Sequence, residues 1–369
     1  MQDIIKIRHN IHQNPELAFE EFKTTELIYS YLSDLNPNYI KRFDKTGLIV
    51  GLFGKETGKN VLIRADIDAV SIVENTDKVY KSENHGVAHC CGHDGHIAIL
   101  LALAKKISQS EFSGKYYLLF QPAEETGEGA KYILDSQILD DLKIDCCFGF
   151  HNLPGISAGQ IVVSPKLFCA TSLALKINYQ GKNAHASEPE KGISPASATA
   201  TTILSVEKIA AKLEAVAYTQ AIVVYSFMGS VNFGITPDKS EIGITLRAYR
   251  LSDLELLKQK IIENCQRIAE WYKLDFDYSE TDFFPPVVID EFLYNQIIES
   301  LRVSGIDYHI LEKPFTWSED FGYFAEKYPS LFLGLGIGEN LPNLHNNKYD
   351  FPDDLITSFA NNLFTLIIK

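Results

Sequence analysis

Hydrophobic positions in the first half of the chain alternate between helical and strand-like spacing. Spacings of three and four residues predict helices over Gln2–His12 and Leu17–Leu35. A continuous apolar stretch, Ile97–Ile107, predicts a buried helix. Short apolar runs predict four strands: Leu48–Phe53, Val61–Ala65, Tyr116–Phe120 and Cys146–Phe150. This alternation indicates an α/β fold with a mixed sheet flanked by helices.

Near Phe168 the pattern changes to a unit with the element order βαββαβ. Its predicted elements are strand Ser172–Tyr179, helix Pro195–Leu213, strands Ala221–Phe227 and Glu241–Tyr249, helix Ser252–Tyr272 and strand Asp275–Tyr278. This split order is typical of small inserted domains. The α/β pattern then resumes with helices Glu291–Ser304 and Glu319–Glu326, strand Leu331–Leu335 and helix Asp354–Ile368.

We therefore predict a discontinuous catalytic domain interrupted by one inserted domain. The catalytic domain is expected to comprise residues 1–167 and 283–369, and the insert residues 168–282. A length of 369 residues also favours two domains, because a domain usually holds about 100–200 residues. The insert is expected to act as a lid or as a surface for homodimer formation.

Composition and charge narrow the class of protein. The chain is 46% hydrophobic and 22% charged, which is ordinary for a globular protein. No apolar run approaches the roughly 20 residues that span a bilayer, and the first residues do not resemble a signal peptide. We therefore predict a soluble, cytoplasmic protein with no membrane partner. The net charge of −14 argues against a nucleic-acid partner, which normally requires a basic face.

The densest chemistry lies in the run HCCGHDGH, from His89 to His96. Thiolate and imidazole suit zinc and similar ions. Cys91 and His93 are separated only by Gly92, so both side chains can converge from one tight loop. A structural zinc site is the alternative, but such sites usually contain Cys-x-x-Cys pairs and this chain has none.

Three other segments place metal-binding side chains after apolar strands. Glu124 and Glu125 follow the strand at Tyr116–Phe120, His151 ends the strand at Cys146–Phe150, and His345 follows a glycine-containing loop. The carboxyl ends of strands form the ligand crevice of open α/β sheets, so we expect these residues to meet. One of two adjacent carboxylates can bind metal while the other acts as a base. The alternative for the glutamate pair is two solvated acids that cap a helix.

These motifs resemble the dinuclear metallopeptidase family that includes aminoacylases and carboxypeptidases. The similarity is to its amidohydrolase branch, which holds hippurate hydrolases, N-acyl amino acid amidohydrolases and auxin-conjugate hydrolases. It is carried in order by RHNIHQNPELAFEE, RADIDAV, HCCGHDGH, FQPAEETGEGA, FGFHNLP, GKNAHAS, WSEDFGYF and LHNNKYDF. The motifs cover nearly the whole chain, and their ordered set is highly specific.

The resemblance implies two divalent metal ions per subunit and a set of ligands. Cys91 is implied as the thiolate between the metals, and the other ligands are His93, Glu125, His151 and His345. Glu124 is implied as the general base that takes a proton from metal-bound water, so that the hydroxide attacks the amide carbonyl. Zinc or manganese is expected, with cobalt and nickel as alternatives. Asp66 resembles an acid that orients a ligand, although a helix-capping role is equally open.

Three residues of the insert acquire candidate roles from the resemblance. His185 is implied to steady the tetrahedral oxyanion, and its alternative is a surface histidine. Arg247 is implied to bind the substrate carboxylate, and its alternative is an exposed strand arginine. Relatives often carry asparagine where this chain has Gly234. Either Asn232 contacts the substrate instead, or the insert recognises a different substrate.

The predicted function is metal-dependent hydrolysis of the amide bond in N-acyl amino acids or related small conjugates. A di- or carboxypeptidase with the same two metals is the alternative. A metal-dependent binding protein without catalysis is the third possibility, and we disfavour it because the base and every implied ligand are retained.

Overall fold

The computed structural model describes residues 1–214, 217–229 and 232–368. In chain order the helices are α1 (Gln2–Gln13), α2 (Phe22–Ser33), α3 (His93–Ser108), α4 (Gly129–Asp135), α5 (Ala196–Glu214), α6 (Leu251–Tyr272), α7 (Glu291–Ser304), α8 (Gly322–Lys327) and α9 (Leu355–Ile367). The strands are β1 (Tyr39–Arg42), β2 (Leu48–Phe53), β3 (Glu56–Asp66), β4 (Ser113–Gln121), β5 (Cys146–Pro154), β6 (Ile161–Val163), β7 (Thr171–Gln180), β8 (Thr219–Met228), β9 (Lys239–Ala248), β10 (Asp275–Phe284), β11 (Tyr308–Ile310) and β12 (Ser330–Gly338).

The chain divides into two compact units. The first comprises Met1–Phe168, Val287–Lys313 and Asp320–Lys369, and the second comprises Cys169–Pro286 and Pro314–Glu319. The second unit thus includes a short segment from beyond the expected insert. None of the helices formed by the described residues is both long and apolar enough to cross a membrane.

The first unit is built on an eight-stranded mixed sheet in the order β1-β2-β4-β3-β5-β12-β6-β11. Its four central strands, β4, β3, β5 and β12, run parallel to their neighbours in this group. Apart from the exposed start of β3, they are buried almost throughout, because helices cover a parallel sheet on both faces, and this explains their continuous apolar runs. The buried helix α3 packs against α1, α9 and β3. The carboxyl ends of the four parallel strands therefore lie along the same edge of the sheet.

The second unit is an antiparallel sheet in the order β10-β7-β9-β8, with α5 and α6 packed against it. Its core joins alternate residues of β7, such as Leu173 and Leu175, to the apolar stripe of α6, such as Leu254, Leu257 and Ile261. The element order is βαββαβ. The predicted α/β class, with a mixed sheet flanked by helices and a βαββαβ insert, is confirmed.

Several predicted boundaries are wrong for identifiable reasons. The second helix begins at Phe22 and not at Leu17, because the Glu16 carboxylate accepts hydrogen bonds from the backbone N–H groups of Lys23 and Thr24 at its first turn. Helix α8 begins three residues later than predicted, because Asp320 is buried and bonded elsewhere in the first unit. Strand β5 continues past Phe150 to Pro154 by pairing with β12. His151 therefore lies inside this strand and not at its end.

Candidate metal centre

The side chains predicted as metal ligands in the first unit lie together at the carboxyl edge of the parallel strands. Glu125 follows β4, His151 lies in β5 and His345 follows β12. Cys91 lies just before α3 and His93 is its first residue. The fold thus brings together all five predicted ligands from four separate segments of the chain, and Glu124 lies beside them.

The distances define several overlapping groups of donor atoms: Asp66, His93, His96 and His151 form one of them, and two others share Glu125. Donor atoms of Cys91, Glu125 and His345 lie within 4.8 Å of one another, as do those of His93, Glu124 and Glu125. The His345 Nε2 to Glu125 Oε1 distance is 3.2 Å, and the His93 Nε2 to Glu125 Oε1 distance is 3.8 Å. Because Glu125 belongs to both groups, they form one contiguous set of donors.

The two buried imidazoles present their Nε2 atoms to this centre. His93 Nδ1 donates to the Asp68 carbonyl oxygen at 2.9 Å, and its buried Nε2 has no hydrogen-bond partner among the described residues. His151 Nδ1 donates to the Asn152 carbonyl oxygen at 2.9 Å, and its Nε2 lies 3.5 Å from Cys91 Sγ. A backbone carbonyl that receives Nδ1–H fixes the tautomer that leaves Nε2 as a metal ligand.

Bound cations would stabilise the carboxylates and the thiol that lie close together in this centre. Burial, together with the adjacent Glu125 and Glu124 carboxylates, raises the pKa of the Cys91 thiol well above its usual range. Burial alone would lower the pKa of His93, but the Asp66 carboxylate and its neighbours raise it to about 10. A set of carboxylates, imidazoles and a thiol that is buried except at His345 is stabilised by cations, and its mixed sulfur, nitrogen and oxygen donors suit divalent transition metals. The residues present therefore fit two divalent cations.

Three residues at the centre have left-handed backbone conformations. Their φ angles are 93° at Gly92, 54° at Ala123 and 60° at His345. Such conformations are costly for residues other than glycine and are found at functional sites. The backbone N–H of His345 also donates to the carbonyl oxygen of Cys90 at 2.8 Å, which connects His345 to the loop that carries Cys91.

We predict that Gly92→Ala destabilises the protein by roughly 2–3 kcal/mol and lowers its metal content. A Cβ atom at Gly92 would lie 2.6 Å from Asn152 Oδ1 and 2.8 Å from Tyr349 Oη, in addition to the cost of the positive φ. Urea unfolding and metal analysis measure both effects. Gly155→Ala is the control, since Gly155 also has a positive φ but nothing lies within 4 Å of its added Cβ. Equal destabilisation of the two variants would contradict the steric argument.

Two acids of the motif RADIDAV support the predicted ligands in different ways. Asp66 Oδ1 lies 2.5 Å from His96 Nδ1, and His96 Nε2 accepts the backbone N–H of Asn152 at 3.1 Å. Asp66 therefore orients His96, and His96 in turn holds the peptide group that directly follows His151. Asp68, which the sequence did not single out, contacts His93 directly, with Oδ1 3.3 Å from Nδ1. The sequence signal for Asp68 was its position two residues after Asp66, just beyond the carboxyl end of β3.

A buried network fixes the segments that carry His93 and His345. Arg8 is fully buried, and its Nε donates to Asp94 Oδ2 at 2.8 Å. The same guanidinium also donates to the carboxylates of Asp350 and Asp353. Asp94 is adjacent to His93 in the chain, and Asp350 and Asp353 follow His345. One side chain of α1 thus links the two segments that carry these predicted ligands.

The three predicted residues of the insert lie in the second unit. His185 is exposed and Arg247 is partly buried on β9. Asn232 is exposed, and its Oδ1 accepts the backbone N–H of Gly234 at 2.8 Å, which forms a local turn. Ser230 and Val231, which precede it in the loop that departs from the family pattern, lie outside the described residues.

Comparisons with known proteins cover nearly the whole chain. The profile of Peptidase family M20/M25/M40 matches residues 62–366. The IAA-amino acid hydrolase ILR1-like 5 of Arabidopsis thaliana is 32% identical over 99% of this chain and 86% of its own. The hippurate hydrolase of Campylobacter jejuni is 30% identical over 99% and 95%. The crystal structure of a dinuclear metal-binding peptidase of the M20 family from Bacillus subtilis has a TM-score of 0.82 and 26% identity, over 99% of this chain and 96% of its own.

Proposed function

Because this chain belongs to peptidase family M20/M25/M40, we propose that it hydrolyses the amide bond of N-acyl amino acids or related small conjugates. The family resemblance drawn from the motifs is confirmed, and the protein is a metal-dependent hydrolase. The observation that carries the proposal is the pair of donor groups that share Glu125, one of which also contains Glu124. The names of the two sequence relatives, for hippurate and for IAA-amino acids, support an acylated amino acid as the substrate.

Each residue of the centre has a distinct part in the proposed mechanism. Cys91, His93, Glu125, His151 and His345 would hold two divalent cations. When bound, these ions acidify water and polarise the amide carbonyl. Glu124 is only 5% exposed, and its Oε2 lies 3.8 Å from His93 Nε2. It takes the proton of the attacking water and delivers it to the nitrogen of the leaving amine.

The metals are proposed to be zinc or manganese, with cobalt and nickel as alternatives. One thiol favours zinc, whereas the carboxylate oxygens also accommodate manganese. Elemental analysis of protein purified without added metal, followed by reconstitution of the stripped protein with each ion, tests this assignment. Fewer than two metal ions per chain after reconstitution would contradict a dinuclear centre.

The exposed imidazole of His185 is proposed to stabilise the oxyanion of the tetrahedral intermediate. Its Nδ1 accepts the backbone N–H of Ser187 at 3.2 Å and lies 2.7 Å from the Ser187 hydroxyl. In the neutral ring the proton is therefore on Nε2, which makes that atom a donor. The test is His185→Ala, which should lower kcat more than it raises KM.

Two residues are proposed to recognise the amino-acid part of the substrate. Arg247 Nη1 donates to the Thr316 carbonyl oxygen and to Ser318 Oγ at 3.2 and 3.0 Å, and these hydrogen bonds fix the orientation of the guanidinium. The planar guanidinium is well suited to bind a carboxylate. Asn232 uses its oxygen within its own turn, so its amide NH₂ is the proposed contact. Substitution of either residue by alanine should raise KM with little change in kcat. Unchanged KM values would remove these two assignments.

Substrate class is tested with the metal-loaded enzyme and two panels of compounds. One panel contains N-acyl amino acids with aromatic and aliphatic acyl groups, and the other contains unblocked dipeptides. The proposal predicts higher kcat/KM values on the first panel. Higher values on the dipeptides would favour the alternative, a di- or carboxypeptidase with the same centre.

We also propose that a second copy of the chain pairs with strand β8. Among the described residues, β8 is an edge strand of the sheet in the second unit. The sequence of β8, TQAIVVYSFM, contains no charge and no proline. Its Ile222, Val224 and Phe227 are 48%, 57% and 66% exposed. Long, apolar and uncharged edge strands pair readily with other chains.

We predict that the protein is a homodimer and that Val224→Lys makes it monomeric. The lysine places a charge in the middle of the proposed interface. Light scattering coupled to size exclusion gives the mass of each form. Phe233→Lys is the control, because Phe233 is 100% exposed but lies outside β8. A monomeric parent protein would rule out the interface.

A cytoplasmic location is proposed from the state of the cysteines. All six cysteines are free and buried. A reducing compartment keeps thiols in this state, whereas secreted proteins usually pair them. Cell fractionation tests the location, and recovery of the protein outside the cytoplasm would contradict it.

A further inference from the structure

Two buried carboxylates hold the backbone on either side of Glu124. Glu21 Oε1 accepts the backbone N–H of Ala123 at 2.9 Å. Asp68 Oδ2 accepts the backbone N–H of Glu125 at 2.9 Å. The three-residue segment that carries the proposed base and a proposed metal ligand is therefore held at both ends by side chains from elsewhere in the fold.

Glu21 immediately precedes helix α2, and its side chain extends to this segment. Its side chain is fully buried, and its second oxygen accepts the Thr46 hydroxyl at 2.5 Å. Both carboxylate oxygens are thus engaged, which fixes the orientation of the group. The described contacts give Glu21 no position among the proposed metal ligands, and it is distinct from the acid that contacts His93.

The hydrogen bond from Ala123 is unusual because of the conformation that it holds. Ala123 has a φ of 54°, and the left-handed region costs a residue with a Cβ about 1–2 kcal/mol. Its buried N–H also needs an acceptor, and Glu21 supplies it. Without that acceptor the backbone at Ala123 gains by returning to negative φ, and this rotation would re-aim the side chain of the next residue, Glu124.

We infer that Glu21 is a positioning residue for Glu124, which it aims by accepting the backbone N–H of Ala123. The inference rests on the proposed role of Glu124 as the base. Asp68 holds Glu125 independently, so loss of Glu21 displaces the base and leaves the metal ligand in place. The expected signature is a lower kcat with unchanged metal content.

The proposed role of Glu21 requires a side-chain oxygen that accepts the hydrogen bond of Ala123, and it does not require a negative charge. Burial and the nearby Asp68 carboxylate raise the pKa of Glu21 to about 7. The site is therefore unfavourable for a second negative charge, although an uncharged carbonyl oxygen can accept the same hydrogen bond. A glutamine in this position keeps one acceptor for Ala123 and gains a donor for Thr46.

The test compares three variants of the full-length, metal-loaded enzyme. Glu21→Met removes the acceptor and should lower kcat about 10–100-fold with KM within about twofold, because small misplacements of a catalytic group cost this much. Glu21→Gln should retain kcat within about threefold. Glu16→Met is the matched control, since Glu16 accepts backbone N–H groups of α2 and none from the segment around Glu124. It should destabilise the protein and leave kcat unchanged.

Each outcome of this comparison decides the inference. An unchanged kcat in Glu21→Met would overturn the inference, and so would equal losses of kcat in Glu21→Met and Glu21→Gln. A lower kcat that is accompanied by loss of a bound metal ion would also overturn it. If Glu21→Met does not fold, Thr46→Val replaces it, and that variant should lower kcat about threefold to tenfold. A fully active Glu124→Gln enzyme would overturn the proposed function, whereas inactive Glu124→Gln beside fully active Glu21→Met would overturn this inference alone.

Discussion

Glu124→Gln is expected to lower kcat by a factor of about 10²–10⁴ while two divalent cations remain bound. The amide keeps the size of the side chain but cannot accept the proton of the attacking water. Glu124 is not among the five proposed ligands, so its loss should leave those donors in place. The variant is nearly isosteric in a buried position, and we expect it to fold normally.

Steady-state kinetics on an N-acyl amino acid, with elemental analysis of the same sample, measure both parts of this prediction. Glu128→Gln is the control, because Glu128 is exposed and belongs to the same loop. Its kcat should match that of the parent enzyme. Full activity of Glu124→Gln would eliminate the assigned base, and loss of a metal ion would mean that Glu124 is a ligand.

Arg8→Met is expected to destabilise the protein by about 3–5 kcal/mol, since it removes one partner from a buried ionic network. Asp94 is fully buried and would lose its Arg8 partner, while Asp350 and Asp353 would also lose the guanidinium that links them. His12 remains beside Asp94, with Nδ1 2.8 Å from Oδ2, but it cannot reach all three acids in this arrangement. Chemical unfolding measures the loss.

The same change should weaken metal binding, because Arg8 links the segments that carry His93 and His345. Titration of the stripped variant with zinc, compared with the parent, tests this consequence. Arg42→Met is the matched control for the loss of an arginine, since Arg42 is 41% exposed and pairs with the exposed Glu26. Exposed pairs contribute about 0–1 kcal/mol, so this control should be nearly neutral. Similar losses in both variants would refute the role of the buried network.

The proposed metal ligands could be singled out from sequence because each follows a local signal. Apolar runs mark β4, β5 and β12, and parallel strands end at one edge, so residues that follow them converge. Cys91 and His93 were found from their spacing within a single loop. The exact strand ends were less accessible: β5 extends past His151 because it pairs with β12, and pairing with a distant strand leaves no local mark.

The helix boundaries show the same division. Periodicity predicted the interior of α2 correctly but extended it from Leu17, since helical spacing continues through the preceding loop. The capping of its first turn by Glu16 is a side-chain contact that the spacing of apolar residues does not encode. Helix α8 was likewise predicted too early, because the Asp320 carboxylate bonds to Arg64 and to the backbone N–H of Ala130, outside this helix.

By itself, the sequence determined the α/β class and the βαββαβ insert and predicted the donors of the proposed metal centre, because periodicity and strand direction are local properties. Only the tertiary structure decided what holds those donors in place. Glu21 and Ala123 are 102 positions apart, and Arg8 and Asp350 are 342 apart. Contacts at such separations depend on how whole elements pack, so no pattern of neighbouring residues could have predicted that Glu21 supports the backbone beside the proposed base.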